Sequence, residues 1–257
     1  MTHATVTSHK VALVTGGSRG IGRSTALSIA RSGIDVIITY HSNQDAAATV
    51  VAEIENMGRK AVALRLDTGD IQSFEPLVEA IREILRSWNL KHLYALVNSA
   101  GVGYWAPFNE TTEEAFDQLL NVNFKGVFFL TQKLLPILVD GGRIVNVTGN
   151  LTRVAFPGYS VLGSMKGATE VLSRFLAKEL GSRKITVNAI SPGGVETDFG
   201  GGALRDNPEV NAFVASQTAL GRVGVPDDVG PLIAALLMDS HRWVNAQTIE
   251  ASGGSFF

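Results

Sequence analysis

The segment Thr15-Gly16-Gly17-Ser18-Arg19-Gly20-Ile21-Gly22 follows a compact apolar run, Val11–Val14, and opens a stretch of helical periodicity from Ile21 to about Ser32. A glycine-rich turn between a buried strand and a helix lets the backbone reverse tightly and approach a ligand closely. The helix start then offers free N–H groups and the positive end of its dipole to an anion. Glycines alone mark many plain turns. The strand–turn–helix context is what makes a phosphate cradle the expected reading.

The same alternation runs on along the chain. Strands are expected at Asp35–Tyr40, Ala61–Leu66, Leu93–Val97, Arg143–Val147, Ile185–Ile190 and Gln247–Ala251. Helices are expected at Ala46–Met57, Ile71–Ser87, Thr112–Val139 (one or two, with Pro136 near the end), Ser160–Leu180 and Asp227–Met238. Strand and helix in turn with short connections give a parallel sheet covered on both faces, a Rossmann-type doubly wound α/β fold. No linker or repeat divides the chain, so residues 1–257 are expected to form a single domain. The irregular Thr197–Thr218, rich in Gly, Asn and Pro, is expected to act as a lid.

Composition narrows the chemistry. The net charge is −2 with no basic tract, which argues against nucleic acid or an anionic membrane as partner. There is no cysteine, so thiolate catalysis and Cys-based metal sites are excluded. The five histidines (His3, His9, His41, His92, His241) show no metal-ligand spacing, and no metal is expected. Residues 1–10 lack the apolar core of a signal peptide, and no apolar run approaches a membrane span. A cytoplasmic protein with a small-molecule substrate is expected.

Further marks follow in order: Asp67-Thr68 after the third strand, Asn98-Ser99-Ala100-Gly101 after the fourth, Asn123 in the next helix, Lys166 early in the long helix, and Pro192-Gly193-Gly194-Val195-Glu196-Thr197 after the sixth strand. With the glycine segment, this set resembles the short-chain dehydrogenase/reductase family from about Lys10 to Gly254. The resemblance implies a cofactor-binding role for Gly16, Ser18, Arg19, Gly20, Ile21 and Gly22, with Asp67 on adenine and Thr68 beside it. It places Asn98, Ala100 and Gly101 along the cofactor, Lys166 on the nicotinamide ribose, and Pro192, Gly193, Val195 and Thr197 around the carboxamide. The second strand ends Tyr40-His41-Ser42 without the carboxylate that binds a ribose 2′-hydroxyl, and Arg19 adds a cation close by; both features favour NADP(H). The resemblance also implies a homotetramer, or at least a dimer, paired through the long helices. The stripe Val161, Met165, Ala168, Leu172 and Phe175 is expected to face either the core or a partner.

The resemblance further implies an Asn–Ser–Tyr–Lys catalytic set, and here the chain departs from it. Asn123 and Lys166 match, but Leu162 stands four residues before Lys166 where the tyrosine belongs, and Gly149 stands where the serine belongs. Asn150, Tyr159 and Tyr104 are the polar or aromatic neighbours expected to line the pocket, with Trp105 beside them. A positioned acid contributes roughly 10²–10⁴ in rate and an oxyanion donor about 10²–10³. Ordinary ketone reduction is therefore expected to be weak. An NADP(H)-dependent reductase of carbonyl, imine or activated C=C groups with an altered proton supply is one reading. A non-redox cofactor-binding protein (a cyclase, isomerase or nucleotide-sensing module) is another, and an engineered active-site variant of a carbonyl reductase a third.

Overall fold

The computed structural model describes residues 9–256; His3 and the expectation for the first eight residues lie outside that range. In chain order the elements are β1 (Val11–Val14), α1 (Gly20–Arg31), β2 (Asp35–Tyr40), α2 (Gln44–Asn56), β3 (Ala61–Arg65), α3 (Phe74–Ser87) and β4 (Leu93–Asn98). They continue with α4 (Glu113–Leu120), α5 (Gly126–Leu134), β5 (Leu138–Val147), α6 (Ser160–Glu179), β6 (Thr186–Pro192), α7 (Ala203–Asp206), α8 (Pro208–Ser216), α9 (Pro226–Leu236) and β7 (Thr248–Ala251).

The seven strands form one parallel sheet in the order β3-β2-β1-β4-β5-β6-β7. The central strands are buried along their whole length, as expected where helices cover both faces. Core residues divide between those faces. Val14, Ile29, Val36, Ile54 and Ile233 pack on one side, and Leu13, Phe74, Ile81, Leu96 and Leu130 on the other. The order reverses between β1 and β4, and ligands bind in the crevice beyond the strand ends at such a switch point.

Three expectations need correction. The helical stretch ends at Leu134 rather than Val139: β5 begins at Leu138 and carries Gly141-Gly142 within it. Pro136 closes the helix through a short 3₁₀ turn because its ring cannot continue the ladder. Between α4 and α5, residues Asn121–Lys125 form a π-turn, which sets the two helices apart. The segment expected to be irregular, Thr197–Thr218, contains α7 and α8, with Asn207 capping α8 through its side chain.

Among the described residues no helix is long and apolar enough to cross a membrane, and no cluster of side chains has the makings of a metal site.

Candidate active site

The floor of the crevice is set by the glycine turn. Gly16 and Gly20 take φ of +65° and +55°, conformations that glycine adopts without a Cβ penalty. A Cβ at Gly22 would run into the Gly16 carbonyl oxygen, so the first turn of α1 can close on the loop only with glycine there. No side chain caps α1, and no acid stands in its first turn. Its leading N–H groups and dipole therefore remain available, an arrangement that fits a pyrophosphate.

Two threonines fasten this loop. The Thr15 hydroxyl accepts the N–H groups of both Ser99 and Ala100 at 3.0 Å, tying the end of β1 to the loop after β4. Thr39 receives Gly16 N–H on its hydroxyl (3.3 Å) and Gly17 N–H on its carbonyl (2.9 Å). The sequence reading included Thr15 in the glycine segment without a role of its own and did not place Thr39 in the site. Thr15 stands beside the glycines, but its partners lie more than eighty residues away.

Beyond the ends of β2 and β3, the His41 Nε2 lies 3.7 Å from Asp67 Oδ2, and Asp67 Oδ1 accepts Gly69 N–H. Tyr40 is half-buried at the end of β2, with His41 and Ser42 exposed beside it. The Asn98 amide is committed to Thr131 of α5 and Asn146 of β5, donating Nδ2–H to both. The Thr68 carbonyl lies so close to Gly126 that no Cβ fits there. On the far side, Val195 bridges to Gly224 and Gly193 packs on Ser252, where a Cβ would come within 2.8 Å. Thr197 reaches the glycine turn: a Cβ on Gly20 would lie 3.2 Å from its methyl group.

Asn123, Lys166 and Gly101 converge. A Cβ at Gly101 would lie 2.9 Å from Asn123 Oδ1 and 3.5 Å from Lys166 Nζ. Asn123 sits in the π-turn and pairs reciprocally with Val102, receiving its N–H and donating Nδ2 to its carbonyl. The Lys166 ammonium donates to the Val147 carbonyl at 3.0 Å, at the end of β5 and two residues before Gly149. Burial pushes its pKa down from 10.5 to about 8, because the charged form has lost its water.

Leu162, one helical turn before Lys166, is only 2% exposed. At Gly149 the space is open, and a Cβ would meet nothing nearer than the Pro192 carbonyl at 3.9 Å. The Thr148 hydroxyl lies 3.0 Å from the Ile190 carbonyl and 3.1 Å from a Glu170 carboxylate oxygen, and its one hydrogen serves these two acceptors. Asn150 is buried and starts a 3₁₀ turn. Tyr159 is half-buried at the N-terminus of α6, where its carbonyl accepts Gly163 N–H. Tyr104 is likewise half-buried, and Trp105 donates Nε1–H to the Pro157 carbonyl, bracing the β4 loop against the entry to α6.

Phe199 and Asp198 are members of the site that the sequence did not mark. A Cβ on Gly103 would come within 2.7 Å of the Phe199 ring, and one on Gly101 within 3.8 Å. Arg19 pairs with Asp198 at 3.3 Å and is 67% exposed.

The burial of Lys166 has a measurable cost. Its folded pKa lies below its unfolded value, so the unfolded chain holds more protons between about pH 8 and 10.5, and stability rises with pH across that window. A shift of that size is worth about 3 kcal/mol. Lys166→Met is therefore expected to melt higher than the parent at pH 7, even though the Val147 carbonyl loses a partner. The gain should shrink toward pH 10. A melting difference that does not depend on pH would refute this.

A parallel doubly wound sheet with an uncapped, glycine-opened helix at its switch point defines a nucleotide-binding α/β protein. Residues 16–255 match the family model described as enoyl-(acyl carrier protein) reductase. An uncharacterised oxidoreductase of Methylorubrum extorquens is 39% identical over 245 residues, covering 95% of this chain and 97% of the relative. The hydroxynaphthalene reductase-like protein Arp2 of Metarhizium brunneum is 38% identical over 259 residues, covering 96% and 94%. Among solved structures, the angucycline C-6 ketoreductase LanV with bound NADP superposes with a TM-score of 0.91 at 38% identity, covering 96% of this chain and 95% of that one. The chain belongs to the short-chain dehydrogenase/reductase family.

Proposed function

We propose that this chain, as one domain over residues 1–257, is an NADP(H)-dependent reductase of carbonyl, imine or activated C=C groups with an altered proton supply. The observation that carries the reading is the convergence of Gly101, Asn123 and Lys166 beside two positions, Gly149 and Leu162, that bear no hydroxyl. When bound, NADPH supplies the hydride. Of the three converging groups only Lys166 carries a transferable proton, and an ammonium with a pKa of about 8 is mostly charged at pH 7 yet a better acid than an exposed lysine. Asn123, locked on Val102, holds the β4 loop in place.

Two relatives act on ring systems by name, a hydroxynaphthalene reductase-like protein and an angucycline ketoreductase. Tyr104, Trp105, Tyr159 and Phe199 bring aromatic side chains to the elements around the floor. A fused-ring ketone or enone is therefore the first substrate class to try, and a cyclic iminium the second. An iminium is already positively charged and needs no acid. NADPH absorbance followed with such a panel is expected to show iminium reduction well above ketone reduction. Tight cofactor binding with no turnover of any panel member would overturn the redox reading.

Cofactor selectivity follows from Arg19 and the acid-free end of β2. A charge-assisted contact contributes about 1.5–3 kcal/mol, or roughly ten- to a hundredfold. Because Arg19 is exposed and shared with Asp198, the lower end applies. Calorimetry is expected to find NADPH binding about tenfold tighter than NADH; equal affinities would refute this.

We also read the outer face of α5 and α6 as the seat of a second copy of the chain. The expected stripe divides there. Met165 is buried, whereas Ala168, Leu172 and Phe175 line an apolar surface groove with Phe124, Phe128 and Val171. A dimer or tetramer closed through this face would cover exposed Phe128, Val171 and Phe175.

A further inference from the structure

Residues 198–202 join the end of the β6 loop to α7, and they make two contacts that a bound cofactor would have to share or displace. Asp198 holds Arg19 with one carboxylate oxygen and Arg205 with the other. Arg205, itself paired with Asp206, keeps the Asp198 carboxyl below the usual range, and Arg19 adds to this, so the group is ionised at neutral pH. Arg19 is the cation to which the proposed function assigns the 2′-phosphate. The next residue, Phe199, lays its ring against Gly101 and Gly103, and the Gly200 backbone follows it to within 3.1 Å of where a Gly103 Cβ would sit. Gly101 also borders Asn123 and Lys166, so the ring occupies the same few ångströms as the proposed ribose floor. Gly200, Gly201 and Gly202 then follow with φ of +62°, +77° and +77°. Three consecutive glycines in this conformation form a pivot with no side chains to resist its swing.

We propose that Asp198 and Phe199 form an internal competitor for the cofactor site, and that Asp198 limits how strongly the chain prefers NADP(H) over NAD(H). The carboxylate takes the place of the phosphate on Arg19, and the ring takes the place of the ribose over Gly101. Binding must first lift this strap, so the apparent affinity is reduced by the fraction of molecules in which it is lifted. Asp198 penalises the phosphorylated cofactor twice, by engaging its cation and by placing a negative charge beside it. The unphosphorylated cofactor feels only the strap.

The inference rests on the cofactor reading above, and one set of titrations separates the two. NADP⁺ and NAD⁺ are titrated calorimetrically into the full-length parent, Asp198→Asn and Phe199→Ala, with thermal melts as a check on folding. Asp198→Asn is expected to tighten NADP⁺ by about two- to fivefold, the range of an exposed ion pair, and to tighten NAD⁺ less. Phe199→Ala is expected to tighten both cofactors by a similar factor, about three- to tenfold. If the parent binds NADP⁺ but neither variant binds it more tightly, the strap is overturned and the cofactor reading stands. Weaker binding by Phe199→Ala would make the ring a clamp on the bound cofactor, which also overturns the strap. If no form binds either nucleotide, both readings fall.

Discussion

Gly149→Ser combined with Leu162→Tyr is expected to raise NADPH-dependent reduction of a fused-ring ketone by roughly 10²–10⁴, the worth of a positioned acid. The lysine such a phenol needs is buried one helical turn away, with Nζ anchored on Val147. Asn123 is locked in place by its reciprocal pair with Val102. The two substitutions meet different surroundings. Gly149 has extended backbone (φ 169°) and open space around its missing Cβ, so serine enters without strain. Leu162 is buried, so tyrosine adds bulk where little room is evident. Overpacking there costs about 1–3 kcal/mol, which should appear as a lower melting temperature while the rate rises. The check is NADPH absorbance with the ketone for parent, both single variants and the double variant, alongside thermal melts. A folded, NADPH-binding double variant no faster than the parent would mean that Leu162 and Gly149 do not occupy the positions of acid and oxyanion donor.

Gly22→Ala is expected to weaken NADPH binding on the order of a hundredfold, because displacements near 1 Å carry penalties of that size in preorganised sites. The new methyl group would collide with the Gly16 carbonyl, and only a shift of the turn or of the first turn of α1 relieves it. Either movement misaligns the leading N–H groups of α1, to which a pyrophosphate is proposed to bind. Gly33→Ala is the control: Gly33 also has positive φ (+85°), but nothing lies within 4 Å of its Cβ position. It should lose stability without losing cofactor affinity. Calorimetry on both variants checks the contrast; equal effects on binding would mean that Gly22 serves stability alone.

Much of the architecture was legible because its causes are local. Val11–Val14, Asp35–Tyr40 and the glycine turn carry their conformation in their own residues, and their bounds are those expected. The early start of β5 was hidden because Gly141-Gly142 resembles a turn, and only the pairing of Leu138 with Leu93 of β4, across a register shift, makes the segment a strand. The π-turn at Asn121–Lys125 was invisible because one extra residue in a helix leaves no compositional trace. In the site, Arg19, Asn123 and Lys166 could be named from the motif. Thr15 bridging to Ser99 and Ala100, Asp198 on Arg19, and Phe199 over Gly103 could not, since each depends on segments about 80 to 180 residues apart in the chain meeting in space.

The π-turn also sets a rule of phase. Each residue advances a helix by about 100°, so the extra one between α4 and α5 rotates everything after it relative to everything before. Leu119 and Leu130 are both buried, and Asn123, between them, pairs its amide with Val102. Loss or gain of a single residue anywhere from Glu113 to Leu134 would rotate either that amide or the core-facing leucines out of alignment. The Thr197–Thr218 segment carries no such helical register through the floor, so its length is free to vary. Changes of length that retain the chemistry should therefore accumulate in the strap and its following helices, and be almost absent from the helix that holds Asn123.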